Sequence, residues 1–270
     1  MSSDAWETHY RWEWFRREAW RPGFRASKRG RFGGSCGCFA EIVRDLGGGP
    51  VLDCTCGLGL KTIVMKEMGL DVVGSDGCAF GVEKARELAA LDGLDVEYFT
   101  STWAKLPERM DARFTAIFND ALSWTLTRED FEASLRGLRD ALAPGGVLVF
   151  MGAPEDAPSD DESRRTLLLE TYHREPPFRV EWTHEDAGVC CTAIAVRELG
   201  DDHFDEHHLY LVRKGDTERL EVATLRQPVT WDWPTLVELF SRTGFATLET
   251  RAFPGRTHDG GTLRLNVATK

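Results

Sequence analysis

Apolar and polar positions recur along this chain with two periods, and the points where one replaces the other mark out its elements. Between 6 and 24, Trp6, Tyr10, Trp14 and Phe15 fall near the spacing of one helix face, so an amphipathic helix is expected, broken by Pro22-Gly23. A second helix is expected over 35–46, ending at Gly47-Gly48-Gly49-Pro50, because glycine takes the left-handed conformation with which helices often close. Short apolar runs then predict strands over 51–53, 71–75, 96–99, 114–118 and 147–150, with helices over 62–68, 82–91 and 128–142 between them. That alternation specifies a parallel sheet covered by helices.

Pro144-Gly145-Gly146 turns the chain into the strand at 147–150, its most apolar run, and a charged loop through Asp160 and Asp161 leads out of it. From 178 to 231 the period changes to three or four alternating strands, separated by turn clusters such as Gly200-Asp201-Asp202 and Lys214-Gly215-Asp216. This is the pattern of an antiparallel meander, and it reads as an insertion. A helix over 233–243 stops at Gly244, and strands near 246–251 and 263–267 complete the main sheet. The expected division is an N-terminal lid or substrate-binding segment at 1–34, a cofactor-binding core at 35–175, the antiparallel insertion at 176–232, and the final helix and strands at 233–270.

A length of 270 residues suits one α/β domain with an insertion better than two independent domains. The formal charge of -11 opposes a polyanionic partner, although Arg25, Lys28, Arg29 and Arg31 gather in one stretch that reads equally as a solvated loop. No nucleic acid is expected as a partner. No apolar run approaches the ~18 residues of a membrane span, and the charged, Trp-rich start is unlike a signal peptide. The expected setting is therefore cytoplasmic, away from membranes. Seven cysteines without regular spacing fit reduced thiols there, and neither Cys36 with Cys38 nor Cys190 with Cys191 belongs to a matched pair of CxxC motifs. The string Asp201-Asp202-His203-Phe204-Asp205-Glu206-His207-His208 reads as a solvent-facing hairpin turn whose side chains point apart, so no metal site is expected.

The chemistry concentrates in Asp53-Cys54-Thr55-Cys56-Gly57-Leu58-Gly59, directly after one strand and directly before a helix. Glycine there permits a tight turn and close approach of a ligand to the backbone. Asp76 closes the next strand about 20 residues on, where an acid can accept both ribose hydroxyls of a nucleotide. A third glycine or a GK[ST] ending, which a phosphate cradle normally uses, is missing. The loop thus suits a nucleoside without pyrophosphate, with S-adenosylmethionine as the leading ligand. Asp53 as a turn carboxylate and Asp76 as a solvated strand-end acid are the plainer readings, and their joint occurrence in this order disfavours both.

Through Val51-Leu52-Asp53-Cys54-Thr55-Cys56-Gly57-Leu58-Gly59 and Val73-Gly74-Ser75-Asp76 the chain resembles the class I S-adenosylmethionine-dependent methyltransferases. Among them it is most similar to the small-molecule N-methyltransferases of glycine, sarcosine and amino sugars, which share the DxxCGxG form and an antiparallel insertion before the last helix. The resemblance runs from Arg31 to the C-terminus and is strong in its first half. It implies an α/β, Rossmann-like class I methyltransferase sheet with helices on both faces, S-adenosyl-L-methionine as cofactor and S-adenosyl-L-homocysteine as product.

Carried over by position, the resemblance places Gly57 and Gly59 against the amino-acid portion of the cofactor and counts Asp53 and Cys56 of the same turn, and Gly77, among the cofactor-binding residues. It places Asp76 at the ribose, Cys78 beside the adenine, and Thr102 and Trp103 at the adenine ring, where an acid or Asn is commoner than Thr102. Arg31 resembles the basic residue that binds the cofactor carboxylate. Asn119-Asp120-Ala121 follows the strand that ends beside the methyl group; Asn119 is a candidate for both cofactor and catalysis, and Asp120 departs from the small or neutral residues usual there. The NPPY-type signature of base and glutamine methylases is missing. An acid at 120 either holds an ammonium acceptor, takes its proton, or caps a helix. Tyr10 is a further catalytic candidate, and Trp14 and Trp124, with Trp12, are candidate aromatic faces for a substrate, with packing as the alternative for each.

The expected activity is methyl transfer to a small molecule, foremost to an amine nitrogen, by a chain able to form a homo-oligomer. The competing readings are an oxygen, sulfur or carbon acceptor, a non-catalytic cofactor-binding protein, and a nicotinamide-dependent oxidoreductase, against which the missing third glycine counts.

Overall fold

The chain begins with helix α1 (Ser3–Phe15) and then alternates helix and strand through α2 (Gly33–Asp45), β1 (Pro50–Asp53), α3 (Leu60–Glu67), β2 (Asp71–Asp76), α4 (Ala79–Leu91) and β3 (Tyr98–Thr100). A 3-10 turn at Trp103–Glu108 leads to β4 (Phe114–Asn119), α5 (Arg128–Ala141) and β5 (Leu142–Phe150). Helix α6 (Asp161–His173) precedes four strands, β6 (Phe178–Asp186), β7 (Val189–Leu199), β8 (His203–Lys214) and β9 (Thr217–Pro228). The chain ends with α7 (Trp233–Arg242), β10 (Thr247–Phe253) and β11 (Leu263–Thr269). These elements belong to a computed structural model that describes residues 3–18, 32–109, 113–122, 125, 127–157, 159–201, 203–228, 231–257 and 260–270. The chain divides into two compact units, Met1–Phe24 with Pro158–Val229, and Arg25–Ala157 with Thr230–Lys270. No helix among the described residues is long and apolar enough to cross a membrane.

In the larger unit seven strands lie in the order β10-β11-β5-β4-β1-β2-β3. β1 to β5 are parallel, and β11 runs antiparallel to both β5 and β10. Both faces are covered, which is why the central strands read as unbroken apolar runs. Leu52, Ile117 and Leu148 pack on one side against Phe131, Leu135, Leu236 and Phe240. Their neighbours Val51, Phe118 and Val149 pack on the other side against Phe39, Ile42, Val64 and Met65. Helix starts follow local chemistry: Thr127 accepts the Asp130 amide at 3.1 Å and Asp232 the Thr235 amide at 2.8 Å. β1 is flanked by β2 on one side and β4 on the other, so the strand order reverses at its carboxyl end. A crevice opens at such a switch point, and it is where ligands of open α/β sheets sit.

The expected elements match in kind, with four differences. Pro144-Gly145-Gly146 lies inside β5, which pairs with β4 across a register shift between Phe114 and Ala116 instead of beginning after a turn. β3 is a three-residue edge strand placed two residues later than the period suggests. The charged loop at Asp160 and Asp161 is in fact the start of α6, where the Asp160 carboxylate accepts the Ser163 amide at 2.9 Å. Helix α1 ends at Phe15, short of the expected 24, and residues 19–24 of that expected helix lie outside the described residues.

The smaller unit holds α1, α6 and the meander β6-β7-β8-β9, with α1 packed on one face of the sheet. Trp12 of α1 is 5% exposed, stacks on Tyr210 at 5.9 Å between centroids and donates its indole N–H to Glu221 at 2.8 Å. It is a packing residue. The string from Asp201 to His208 is corrected here: its second part is the start of β8, not a hairpin turn, and period two brings Glu206 and His208 onto the covered face, each 5% exposed. A bulge between Val180 and Trp182 of β6 sends Glu181 to the same side.

The His208 ring contacts Glu181 through Nδ1 at 3.1 Å and Glu206 through Nε2 at 3.3 Å, while Arg197 and Arg179 donate to Glu206 at 2.6 and 3.2 Å. Burial opposes charge on His208, yet the two carboxylates outweigh it and raise its pKa to about 9. His9 of α1, its ring 4.8 Å away, is brought down to about 4 by burial and by His208, and its Nδ1 meets the Tyr210 hydroxyl at 3.0 Å. Glu181, Glu206 and His208 have the donor types of a metal site. Their positive charge is instead supplied by the imidazolium and two guanidinium groups.

Candidate functional site

The turn after β1 is built by its own donors. Asp53 is fully buried, and its carboxylate accepts the Thr62 hydroxyl at 2.7 Å and the Thr55 amide at 3.2 Å, tying the strand end to the first turn of α3. Burial raises the Asp53 pKa, with Lys61 and these hydrogen bonds opposing. Cys56 donates its amide to Ser75 O at 3.0 Å, which fastens the turn to β2. Gly59 opens α3 at φ 81°, a left-handed conformation, and a Cβ there would stand 2.9 Å from both Ala85 Cβ and the Tyr98 hydroxyl. Gly74 of β2 is fixed by another close approach, since a Cβ would lie 2.4 Å from the Tyr98 ring.

Asp76 closes the loop onto β2. One carboxylate oxygen accepts the Gly57 amide at 2.9 Å and the other the Cys78 amide at 2.9 Å. Burial pushes its pKa up to about 6 against those two bonds. Each oxygen keeps a lone pair for a further donor, and a Cβ placed on the neighbouring Gly77 would meet nothing within 4 Å. Cys78, 5% exposed, stands at the N-cap of α4. Across the strand ends Thr102 is exposed at the start of the 3-10 turn, and Trp103 donates its indole N–H to Cys54 O at 2.8 Å.

β4 ends in Asn119, and Asp120 follows it. Asn119 is fully buried, its Oδ1 accepts the Ala121 amide at 2.9 Å, and its Nδ2 has no hydrogen-bond partner among the described residues. Asp120 is held from two sides: Thr55 donates its hydroxyl at 2.7 Å, and Lys61 forms an ion pair with the other oxygen. Lys61 and Thr55 were not singled out by the sequence reading. A signal for Lys61 existed, because a cation in the first turn of a helix opposes the macrodipole and needs an anionic partner. Burial lowers its pKa, with Asp53 as the largest opposing influence.

The sequence candidates Asp53, Cys56, Gly57, Gly59, Asp76, Gly77, Cys78, Thr102, Trp103, Asn119 and Asp120 all lie in the larger unit, at the carboxyl ends of β1, β2 and β4 or in the segments that follow β2 and β3. Tyr10 and Trp14 lie on α1 in the smaller unit. Tyr10 is half-buried beside Trp6, and Trp14 is 7% exposed with the Arg17 guanidinium 4.7 Å above its ring. Arg31 and Trp124 lie outside the described residues.

A carboxylate with spare lone pairs, an unpaired buried amide donor and open space beside Gly77 fit an adenosyl group with an amino-acid tail. The strand order, with its reversed last hairpin, is that of the class I methyltransferase fold. The family described as "Methyltransferase domain" matches residues 51–146. A ubiquinone biosynthesis O-methyltransferase of Cereibacter sphaeroides is 34% identical over 116 residues, 41% of this chain and 46% of its own length. A glycine/sarcosine N-methyltransferase of Halorhodospira halochloris is 29% identical over 114 residues, 42% of each chain. The match thus spans less than half of either relative. A sugar N-methyltransferase from Streptoalloteichus superposes with a TM-score of 0.63 at 14% identity, covering 88% of this chain and 87% of its own. An S-adenosylmethionine-bound amino pentose methyltransferase from Micromonospora echinaspora gives 0.57 at 18% identity, covering 91% and 95%. At such identities the likeness concerns the fold.

Proposed function

We propose that the protein transfers a methyl group from S-adenosylmethionine to the amine nitrogen of a small molecule. The observation that carries this reading is the carboxylate of Asp120, held at the end of β4 by Thr55 and Lys61, beside a turn suited to an adenosyl group. The residues that would hold the cofactor are Asp76 at the ribose hydroxyls, the backbone of Gly57 and Gly59 with Asn119 Nδ2 at the amino-acid end, and Cys78 and Thr102 near the base. When bound, it supplies an electrophilic methyl group on a sulfonium sulfur. Displacement at such a carbon needs alignment and exclusion of water more than it needs a dedicated base.

The chain's own part is to orient the acceptor. Asp120 accepts an N–H of the incoming amine on a lone pair left by Thr55 and Lys61, which fixes the nitrogen and gives its proton an exit. Lys61 supplies the counter-charge that keeps the carboxylate in place. Seven free cysteines fit a reducing, cytoplasmic setting.

A second reading, an oxygen acceptor, is favoured by the O-methyltransferases among the sequence relatives. Incubation with methyl-labelled S-adenosylmethionine and a panel of amino acids, amino sugars and phenols, with product mass spectrometry, separates the two. Label found on nitrogen is expected; label confined to oxygen removes the amine acceptor, and no label on any acceptor despite cofactor binding removes the activity.

A further inference from the structure

Lys61 stands in the first turn of α3, two residues past Gly59, and its ammonium meets Asp120 just beyond the end of β4. Charge on it is opposed twice. Burial lowers its pKa, and the free amides at a helix N-terminus present positive charge to it. Anions must compensate, and two of those nearby are committed elsewhere. Asp53 gives its oxygens to Thr62 and Thr55, and Asp76 gives both of its own to the Gly57 and Cys78 amides. Each therefore acts on Lys61 only at longer range. Asp120 is the direct partner, and its other oxygen is held by the Thr55 hydroxyl at 2.7 Å.

An ammonium carries three N–H donors, and a single carboxylate oxygen uses one of them. Among the described residues Lys61 forms no second ion pair; Phe32 and Phe118, with ring centroids 5.8 and 6.0 Å from Nζ, offer it ring faces and not oxygens. Donors thus remain for a second anion, at a helix N-terminus that itself favours one. The turn beside Lys61 is the one suited to the amino-acid end of the cofactor, and that end carries a carboxylate.

We propose that Lys61 binds the carboxylate of the cofactor's amino-acid end and divides its charge between that group and Asp120. The inference rests on the cofactor placement proposed above. The resemblance gives the same carboxylate to Arg31, outside the described residues; Lys61 is a further cation, and its partner Asp120 departs from the small or neutral residues usual at that position. Two carboxylates on one ammonium repel each other, so Lys61 strengthens the hold on the cofactor carboxylate while Asp120 weakens it. Division of the Lys61 charge also leaves more of the Asp120 charge to an acceptor N–H, so cofactor and acceptor favour each other's binding.

Isothermal titration calorimetry of the full chain tests this with two probes, S-adenosylhomocysteine and its decarboxylated analogue, which keeps the adenosyl thioether and the ammonium. The wild type is expected to prefer S-adenosylhomocysteine. Lys61→Met is expected to lower the ratio of the two affinities ~10-fold or more. Asp120→Asn is expected to raise it ~3-fold or more, because one of two competing anions is gone. Asp76→Asn, at the ribose, is expected to weaken both probes alike, which separates a misplaced cofactor from a misassigned carboxylate. If Lys61→Met unfolds by circular dichroism, the ~10-fold fall is read between Asp120→Asn and the double variant Lys61→Met/Asp120→Asn, which lacks the whole pair. An affinity ratio that loss of Lys61 leaves unchanged overturns the proposal, as does one that Asp120→Asn fails to raise. An Asp76→Asn protein that binds both probes like the wild type removes the cofactor placement, and the inference with it.

Discussion

Replacing Asp76 by Asn tests the clasp between the glycine turn and β2, because Asn keeps the shape and removes one acceptor and the charge. In the wild type the two carboxylate oxygens accept two backbone amides, Gly57 N and Cys78 N, each at 2.9 Å. Asn can accept one of them and must turn its NH2 toward the other, leaving a donor facing a donor. An unsatisfied donor costs about 1–3 kcal/mol, which sets the expected loss of folding stability. The loss for the ligand is separate: a charge-assisted hydrogen bond from a ribose hydroxyl contributes about 1.5–3 kcal/mol, so affinity should fall ~10- to 100-fold.

The pH dependence gives a second readout of the same change. Burial raises the Asp76 carboxyl to about 6, so its ionised, hydroxyl-accepting form appears as the pH rises through that value. Affinity for S-adenosylhomocysteine should climb from roughly pH 5 to 8 in the wild type and stay flat near 6 in Asp76→Asn. Because the folded pKa lies above the unfolded 3.8, the Asp76 contribution to folding stability is full below 3.8 and lost as the pH rises through about 6. Asn should lack that loss. Isothermal titration calorimetry and urea unfolding measure both quantities. A folded variant that binds S-adenosylhomocysteine as tightly as the wild type, with an unchanged pH profile, refutes the clasp.

Three further changes probe the surroundings. Gly59→Ala combines left-handed strain with contacts of 2.9 Å to Ala85 and Tyr98 and should lower stability, read from the urea midpoint at constant slope. Adding ~1–2 kcal/mol for the strain to ~1–3 kcal/mol for overpacking gives about 2–5 kcal/mol. Lys61→Met and Asp120→Asn, measured singly and together, should show a coupling of about 1–3 kcal/mol in unfolding, and additive effects would mean that the ion pair is not formed. The His208 contribution to stability is complete below its unfolded 6.5 and lost as the pH rises through about 9, whereas that of Glu206, held near 2 by His208 and Arg197 against burial, is lost only in acid. Unfolding between pH 6.5 and 9 should therefore flatten in His208→Phe, and an unchanged slope would count against the buried imidazolium.

What could be read from the chain and what could not differ by the distance over which each feature is specified. The cofactor turn is local: Asp53, Thr55, Gly57, Gly59 and Thr62 lie within ten residues, and the left-handed φ at Gly59 demands the residue type that stands there. The parallel strands are legible for a similar reason, since Val51-Leu52 or Val147-Leu148-Val149 buries both faces and needs no partner to reveal it. Helix α6 escaped because only Leu168 of its residues is buried, so no apolar stripe forms; its Asp160-to-Ser163 cap was the remaining signal.

The covered face of the meander is the opposite case. A period-two reading that sends charged residues outward assigns Glu206 and His208 to solvent, yet burial of a charge depends on its partners, not its type. Those partners stand far off along the chain, Arg197 nine residues and Glu181 and Arg179 more than twenty-five residues away, and only the pairing of β6, β7 and β8 brings them together. The same alternation puts Leu211 and Val222 on the opposite face, leaving apolar side chains in water and ionic ones inside. A sheet arranged in that way keeps its polar network dry beneath α1 and the end of α6, whose Tyr172 carbonyl accepts a further Arg197 N–H at 3.1 Å while its ring stands 6.0 Å from Phe204.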